Sequence, residues 1–127
     1  MVSIILIDKN KKILLQLRTK DAKKYPGTWG FFGGGIEPGE TPVETVKREC
    51  FEELGYKLKN PKLILQKEVN NKKFFLFLEK YDGVQKLILN EGEKMGWFKI
   101  EEINDLDATQ FVKDIILEIS PRINSQT

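Results

Sequence analysis

Three glutamates, Glu49, Glu52 and Glu53, fall close together in the run KRECFEELGY, residues 47–56. At ~100° per helical residue they share an arc of about 100°. Like charges at such spacings cost a few tenths of a kcal/mol per pair. The plain reading is a solvated acidic face with Arg48 and Glu52 as an i,i+4 ion pair. The chemical reading is that the carboxylates gather around a hard divalent cation, which prefers oxygen ligands.

Composition removes most other chemistries. The chain has no histidine and one cysteine, Cys50. Serine–histidine triads, Cys/His nucleophile pairs, His-based zinc sites and an intrachain disulfide are therefore excluded. Carboxylates are left as the main candidates for acid–base work and metal binding. The 21 basic and 19 acidic residues nearly balance, giving a net charge of +2. That balance offers no electrostatic footprint for a nucleic-acid polymer or a membrane surface.

The elements that must position the glutamates come next. VSIILID and KILLQLR read as an antiparallel hairpin. WGFFGGG is a short strand running into a glycine loop. Thr41, Pro42 and Glu44 make a capping box ahead of a helix at about 42–54, and Gly55 is its stop. Val43, Val46, Cys50 and Leu54 form an apolar stripe beside the acidic one. YKLKNPKLILQKEV and KKFFLFLEKY suggest a second hairpin turning at NNK. VQKLILN and MGWFKI read as two further strands around an acidic loop, and EEIND as one helical turn. A last helix begins near Asp107, with an Asp107–Gln110 capping box and apolar residues at helical spacing from Phe111 to Ile119. PRINSQT reads as a frayed tail.

Strands, helix, strands, helix predict an α/β fold, one mixed sheet with helices on both faces. The length of 127 residues suits a single domain over 1–127. No apolar run approaches the ~20 residues of a membrane span. The start, MVSIILIDKN, lacks a signal-peptide pattern, so a cytoplasmic protein is expected.

The segment GGGIEPGE stands at a fixed distance before the glutamates. With it, the chain resembles the Nudix (MutT-like) hydrolase family, whose box reads G-x5-E-x7-R-E-U-x-E-E-x-G-U. The matching residues are Gly34, Glu40, Arg48, Glu49, Cys50, Glu52, Glu53, Gly55 and Tyr56. Cys50 and Tyr56 depart from the aliphatic U type but stay apolar. The resemblance implies an α/β/α sandwich with a loop–helix–loop at about 33–56.

It also implies Mg2+, with Mn2+ able to substitute, held by Glu49, Glu52, Glu53 and a backbone carbonyl of Gly33 or Gly34. Glu49 would be a ligand or the base for the attacking water. Arg48 would orient Glu49, and Glu40 would buttress the loop. Glu91, in the loop before Trp97, would add a ligand or the general base, with Glu93 second. Arg18 would touch phosphate, Gly34 and Gly35 would line the diphosphate, and Trp29, Phe31 and Phe32 would wall the cleft. Tyr25 is a candidate to stack a base. Asn104, Asp105, Asp107, Thr109 and Gln110 lie where related enzymes read the base.

The implied reaction is hydrolysis of a nucleoside diphosphate linked to another group. The leading substrate is a (d)NTP or an oxidised purine form such as 8-oxo-dGTP, giving the monophosphate and pyrophosphate. Dinucleoside polyphosphates or nucleotide sugars are the alternative, and a non-catalytic nucleotide-binding module is the second. A small nucleotide is the expected partner, and both monomer and homodimer stay open.

Overall fold

In a computed structural model that describes residues 1–126, the chain runs β1 (Val2–Ile7), β2 (Ile13–Leu17), β3 (Trp29–Gly30), β4 (Phe32–Gly34) and α1 (Pro42–Leu54). There follow β5 (Lys62–Val69), β6 (Lys72–Lys80), β7 (Lys94–Phe98), a 3-10 helix at Ile100–Asp105 and α2 (Gln110–Asn124). The strands make one mixed sheet, in which β1 lies parallel to β6 and the other pairs are antiparallel.

Alternation along β1 shows why both faces must be covered. Val2, Ile4 and Leu6 join a core with Val46, Cys50 and Leu54 of α1. Ile5 and Ile7 join the opposite core with Ile115, Ile116 and Ile119 of α2. A strand buried on both faces reads as a continuous hydrophobic run, and β1 does. The result is an α/β/α sandwich.

The sheet is forked where the site will stand. β1 and β2 are in register at Ile7↔Ile13, beside their turn. Further along, β3 pairs with β2 through Gln16↔Gly30 and Leu17↔Trp29. β4 pairs with β1 through Ser3↔Gly33 and Ile4↔Phe32. One short stretch, 29–34, thus fills the gap between two strands that have parted.

The sequence specifies α1 almost completely. Thr41 accepts from the Glu44 N–H at 3.2 Å, and Glu44 accepts from the Thr41 N–H at 2.8 Å. Gly55 ends the helix at φ 65°, a left-handed cap. Val43, read as part of the apolar stripe, is instead 41% exposed. The β5–β6 hairpin turns on Asn70 and Asn71, both at positive φ, as a tight two-residue turn requires.

Three expectations are corrected. VQKLILN is not a strand. Its Ile88 and Asn90 N–H groups donate to the Leu54 and Glu53 carbonyls, so it satisfies the orphan end of α1 rather than a sheet edge. Second, α2 is capped by Thr109, which accepts from Val112 at 3.3 Å, and not by Asp107. The Asp107 carbonyl is already taken by the Trp29 N–H at 2.8 Å. Third, the expected tail is helical as far as Asn124. Pro121 removes the donor for the Leu117 carbonyl, and the Ser120 hydroxyl donates to that carbonyl at 2.8 Å instead. Buried Ile123 holds the last turn in place. Thr127 lies outside the described residues. No helix among the described residues is long and apolar enough to cross a membrane.

Candidate active site

The α1 register brings Glu49 and Glu53 against the end of β4. Glu53 is 3% exposed. One of its oxygens accepts from the Gly33 N–H at 2.8 Å. Among the described residues no lysine or arginine nitrogen forms an ion pair with it. Burial first, and then the Glu91 carboxylate beside it, hold its pKa far above the ordinary carboxylate range. Burial also raises Glu49, against the opposing pull of Arg48.

Arg48 ties this corner together. Its guanidinium makes a bidentate pair with Glu40, at 2.8 and 2.9 Å. The same group donates to Glu49 at 3.0 Å, to Glu52 at 3.3 Å and to the Gly35 carbonyl at 3.3 Å. Glu40 also accepts from the Glu37 N–H and the Thr45 hydroxyl. With Arg48 as the first cause, its pKa falls to about 2.

The two glycines at the fork are constrained by space for different reasons. A Cβ on Gly33 would overlap the Val2 carbonyl of the neighbouring strand. A Cβ on Gly34 would stand 2.5 Å from the Glu49 carboxyl. Gly33→Ala is therefore expected to lower stability by about 1–3 kcal/mol. Gly34→Ala should leave the melting temperature nearly unchanged, push the Glu49 carboxylate aside and lower kcat by ~10²-fold. Thermal unfolding and steady-state kinetics of the two variants check the contrast.

Glu91 reaches Glu53 from a loop that is strapped at both ends. The Asn90 N–H donates to the Glu53 carbonyl at 2.8 Å, and the Asn90 amide to the Glu52 carbonyl at 3.1 Å. On the far side the Glu93 N–H donates to the Leu17 carbonyl at 2.8 Å. Gln16, buried in β2, donates to the Phe31 carbonyl at 3.0 Å and to Glu91 at 3.4 Å.

A cleft of two adjoining lobes opens from this point. The outer lobe, about 280 Å³, is lined by Gln16, Arg18, Lys24, Gly33, Gly34 and Glu91 among others. The inner lobe, about 130 Å³, lies between Trp29, Phe31, Thr109 and Phe111. Met1, Ser3, Arg18, Tyr25 and Phe31 line both. Arg18 is held by its Nε, which donates to the Lys24 carbonyl at 2.8 Å. Tyr25 sits exposed at the mouth with φ 50°, an uncommon conformation for an aromatic residue.

The NUDIX domain family model matches residues 1–119. The chain belongs to the Nudix family. It is 45% identical over 53 residues to nucleoside triphosphatase NudI of Enterobacter sp. (strain 638), an alignment covering 42% of this chain and 38% of that protein. It is 32% identical over 107 residues to the NAD-capped RNA hydrolase NudC of Chromobacterium violaceum, covering 81% of this chain and 39% of that one. The chain thus spans well under half the length of either relative. A MutT protein from Methanosarcina mazei Go1 shares the fold, with a TM-score of 0.76 at 22% identity over 98% of this chain and 94% of that one.

Within this Nudix site the structure sorts the candidates. Glu49, Glu53 and Glu91 come together, and Arg18, Trp29 and Gly34 line the cleft. Glu52 does not join them, since its side chain is 56% exposed and is drawn to Arg48. Phe32 is not a cleft wall but a core residue, 1% exposed; it opens β4 and packs with Val46, Cys50 and Leu54 of α1. Gly35 and Glu93 lie outside the lining of both lobes, as do Asn104, Asp105, Asp107 and Gln110. Sequence reading missed Gln16, Asn90 and Ser3. The signal available for Gln16 was a lone carboxamide inside an otherwise apolar strand.

Among the described residues no group of three or more acidic side chains is set closely enough to hold a metal ion by itself. An open set still suits Mg2+, which keeps several waters and takes one or two carboxylates together with substrate phosphates. The donor chemistry fits: a buried Glu53 carboxylate with the Glu91 carboxylate beside it and no protein cation paired to it is costly as an anion unless a cation arrives.

Proposed function

We propose that this chain is a Mg2+-dependent nucleotide pyrophosphohydrolase. The observation that carries the reading is the buried Glu53 carboxylate, which no protein cation pairs with, beside the Glu91 carboxylate of a cleft lined also by Arg18 and Lys24. Glu53, Glu49 and Glu91 would hold the metal, with a carbonyl of Gly33 or Gly34, and Glu52 would join by turning inward. A bound divalent cation neutralises phosphate charge and acidifies water.

The chain's own residues do the rest. Arg48 donates to Glu49 and favours its charged form against the burial that raises its pKa. Glu40 keeps Arg48 in place. Arg18 and Lys24 bind the polyphosphate in the outer lobe, and the aromatic inner lobe takes the base. Either Glu49 or Glu91 accepts the proton of the attacking water.

A nucleoside triphosphate is the substrate class this cleft suits, yielding the monophosphate and pyrophosphate. An oxidised purine such as 8-oxo-dGTP suits the cleft less well, because the inner lobe is lined by no carboxylate and no carboxamide. The test is pyrophosphate and phosphate release with Mg2+ from canonical and oxidised (d)NTPs, dinucleoside polyphosphates and nucleotide sugars. Turnover concentrated on triphosphates and lost in Glu53→Gln is expected. Nucleotide binding without turnover on any of them would overturn the enzyme reading.

A further inference from the structure

Glu91 belongs to an exposed loop, yet the proposed chemistry needs its carboxylate fixed beside Glu53. Two polar residues outside the Nudix box provide the fixing contacts. Gln16 is 2% exposed and stands at the fork, opposite Gly30 in β3 and Met95 in β7. Its Nε2 donates to the Phe31 carbonyl, at the junction of β3 and β4, and turns its other hydrogen to Glu91. The loop packs tightly on this amide, since a Cβ on Gly92 would lie 2.6 Å from the Gln16 Oε1. Asn90 occupies two carbonyls in the last turn of the helix that carries Glu52 and Glu53.

We propose that Gln16 and Asn90 are positioning residues that hold the Glu91 carboxylate in register with Glu53. The physical reason is shared attachment. Asn90 ties the loop to the main chain of the Glu53 residue itself. Gln16 ties the carboxylate to the strand pair that carries Gly33, the donor to Glu53. A movement of α1 relative to the fork is therefore felt by both carboxylates together. Helix-end carbonyls need partners in any case, so the Asn90 contact registers the loop without an added unsatisfied group. A buried glutamine is justified where both its amide hydrogens find acceptors, and here one acceptor is Glu91.

The inference rests on Glu91 belonging to the reacting centre, and the test separates the two claims. Gln16→Met keeps the side-chain length and removes the amide, while Asn90→Ala changes an exposed residue and leaves the fold intact. Each is made alone and in a Glu91→Gln background. Steady-state kinetics and Mn2+ binding to the nucleotide-free protein, followed by electron paramagnetic resonance, are measured for all. The expected result is a fall of about 10-fold or more in kcat for each single variant, with KM changed less than about 2-fold. No further loss should follow once Glu91 is gone, the non-additivity of residues acting through one another. Mn2+ affinity should fall in the single variants and not fall further in the Glu91→Gln background. Equal losses in both backgrounds would show a merely structural role and overturn the inference. A wild-type chain with no turnover would overturn the enzyme reading alone, and the Mn2+ coupling would still decide this one. If Gln16→Met fails to fold, the Asn90→Ala cycle decides it.

Discussion

Glu53→Gln is expected to abolish turnover and, without metal, to make the protein more stable. Both effects follow from one placement. The carboxylate is buried beside Glu91, no protein cation pairs with it, and it takes a single N–H donor from Gly33. Its protonated form is the favoured one in the metal-free fold. A group whose folded pKa lies above its unfolded value adds stability at low pH. That stability is lost progressively as pH rises from about 4.5, the ordinary glutamate value, towards the raised folded value. Glutamine is the permanent neutral mimic, so the variant escapes that loss. The gain at neutral pH should be on the order of 2 kcal/mol, a rise of roughly 7 °C in Tm for a chain of this size.

Mg2+ should reverse the ranking. Ligand that binds only the folded state stabilises by mass action, and under the proposed function the variant lacks one of the wild type's metal ligands. Turnover should fall ~10³-fold or more. Thermal unfolding of both proteins between pH 5 and 9, with and without Mg2+, reads the stability half of this. A variant no more stable than wild type without metal would contradict the account of Glu53 as a buried, uncompensated acid.

Arg48→Gln is expected to lower kcat by ~10²-fold and to bring acid unfolding on at a higher pH. The guanidinium opposes the desolvation that raises the Glu49 pKa, so the variant loses both that support for the charged form and the contact that orients the carboxylate. The acid effect comes from Glu40, which Arg48 first and the Glu37 N–H next hold at about 2. A depressed folded pKa contributes stability that is present above about pH 4.5 and disappears as pH falls through about 2. Without the guanidinium that contribution shrinks and the window moves up. Arg48→Lys should not restore either property, because one ammonium cannot reproduce the bidentate grip on Glu40 while reaching Glu49. Circular dichroism from pH 5 to 2, beside steady-state kinetics, checks both halves.

These two effects depend on information of different kinds. The capping box at Thr41, the stop at Gly55 and the spacing of Glu49 and Glu53 are local, and the sequence expresses them as adjacent residue types. The hairpins were legible for the same reason, since alternation and an Asn–Asn turn act over a few residues. VQKLILN shows the limit. Its composition suits a strand, but the free carbonyls at the end of α1 took its N–H groups. Asp107 shows it again, for its backbone was claimed by Trp29 from a distant part of the chain.

The Nudix helix, its glutamates and the α/β/α layering were therefore determined by the sequence itself, through helical periodicity, capping chemistry and a run of apolar strands. Tertiary structure alone decided which carboxylates face one another. It turned Glu52 outward to Arg48, sent Phe32 into the core and brought Glu91 to Glu53 through contacts from Gln16 and Asn90. The reason is physical. A residue's type and local period fix which face of its own element it occupies. What that face meets is set by where the β1–β2 fork and the end of α1 come together, and residues far apart in the chain create that junction.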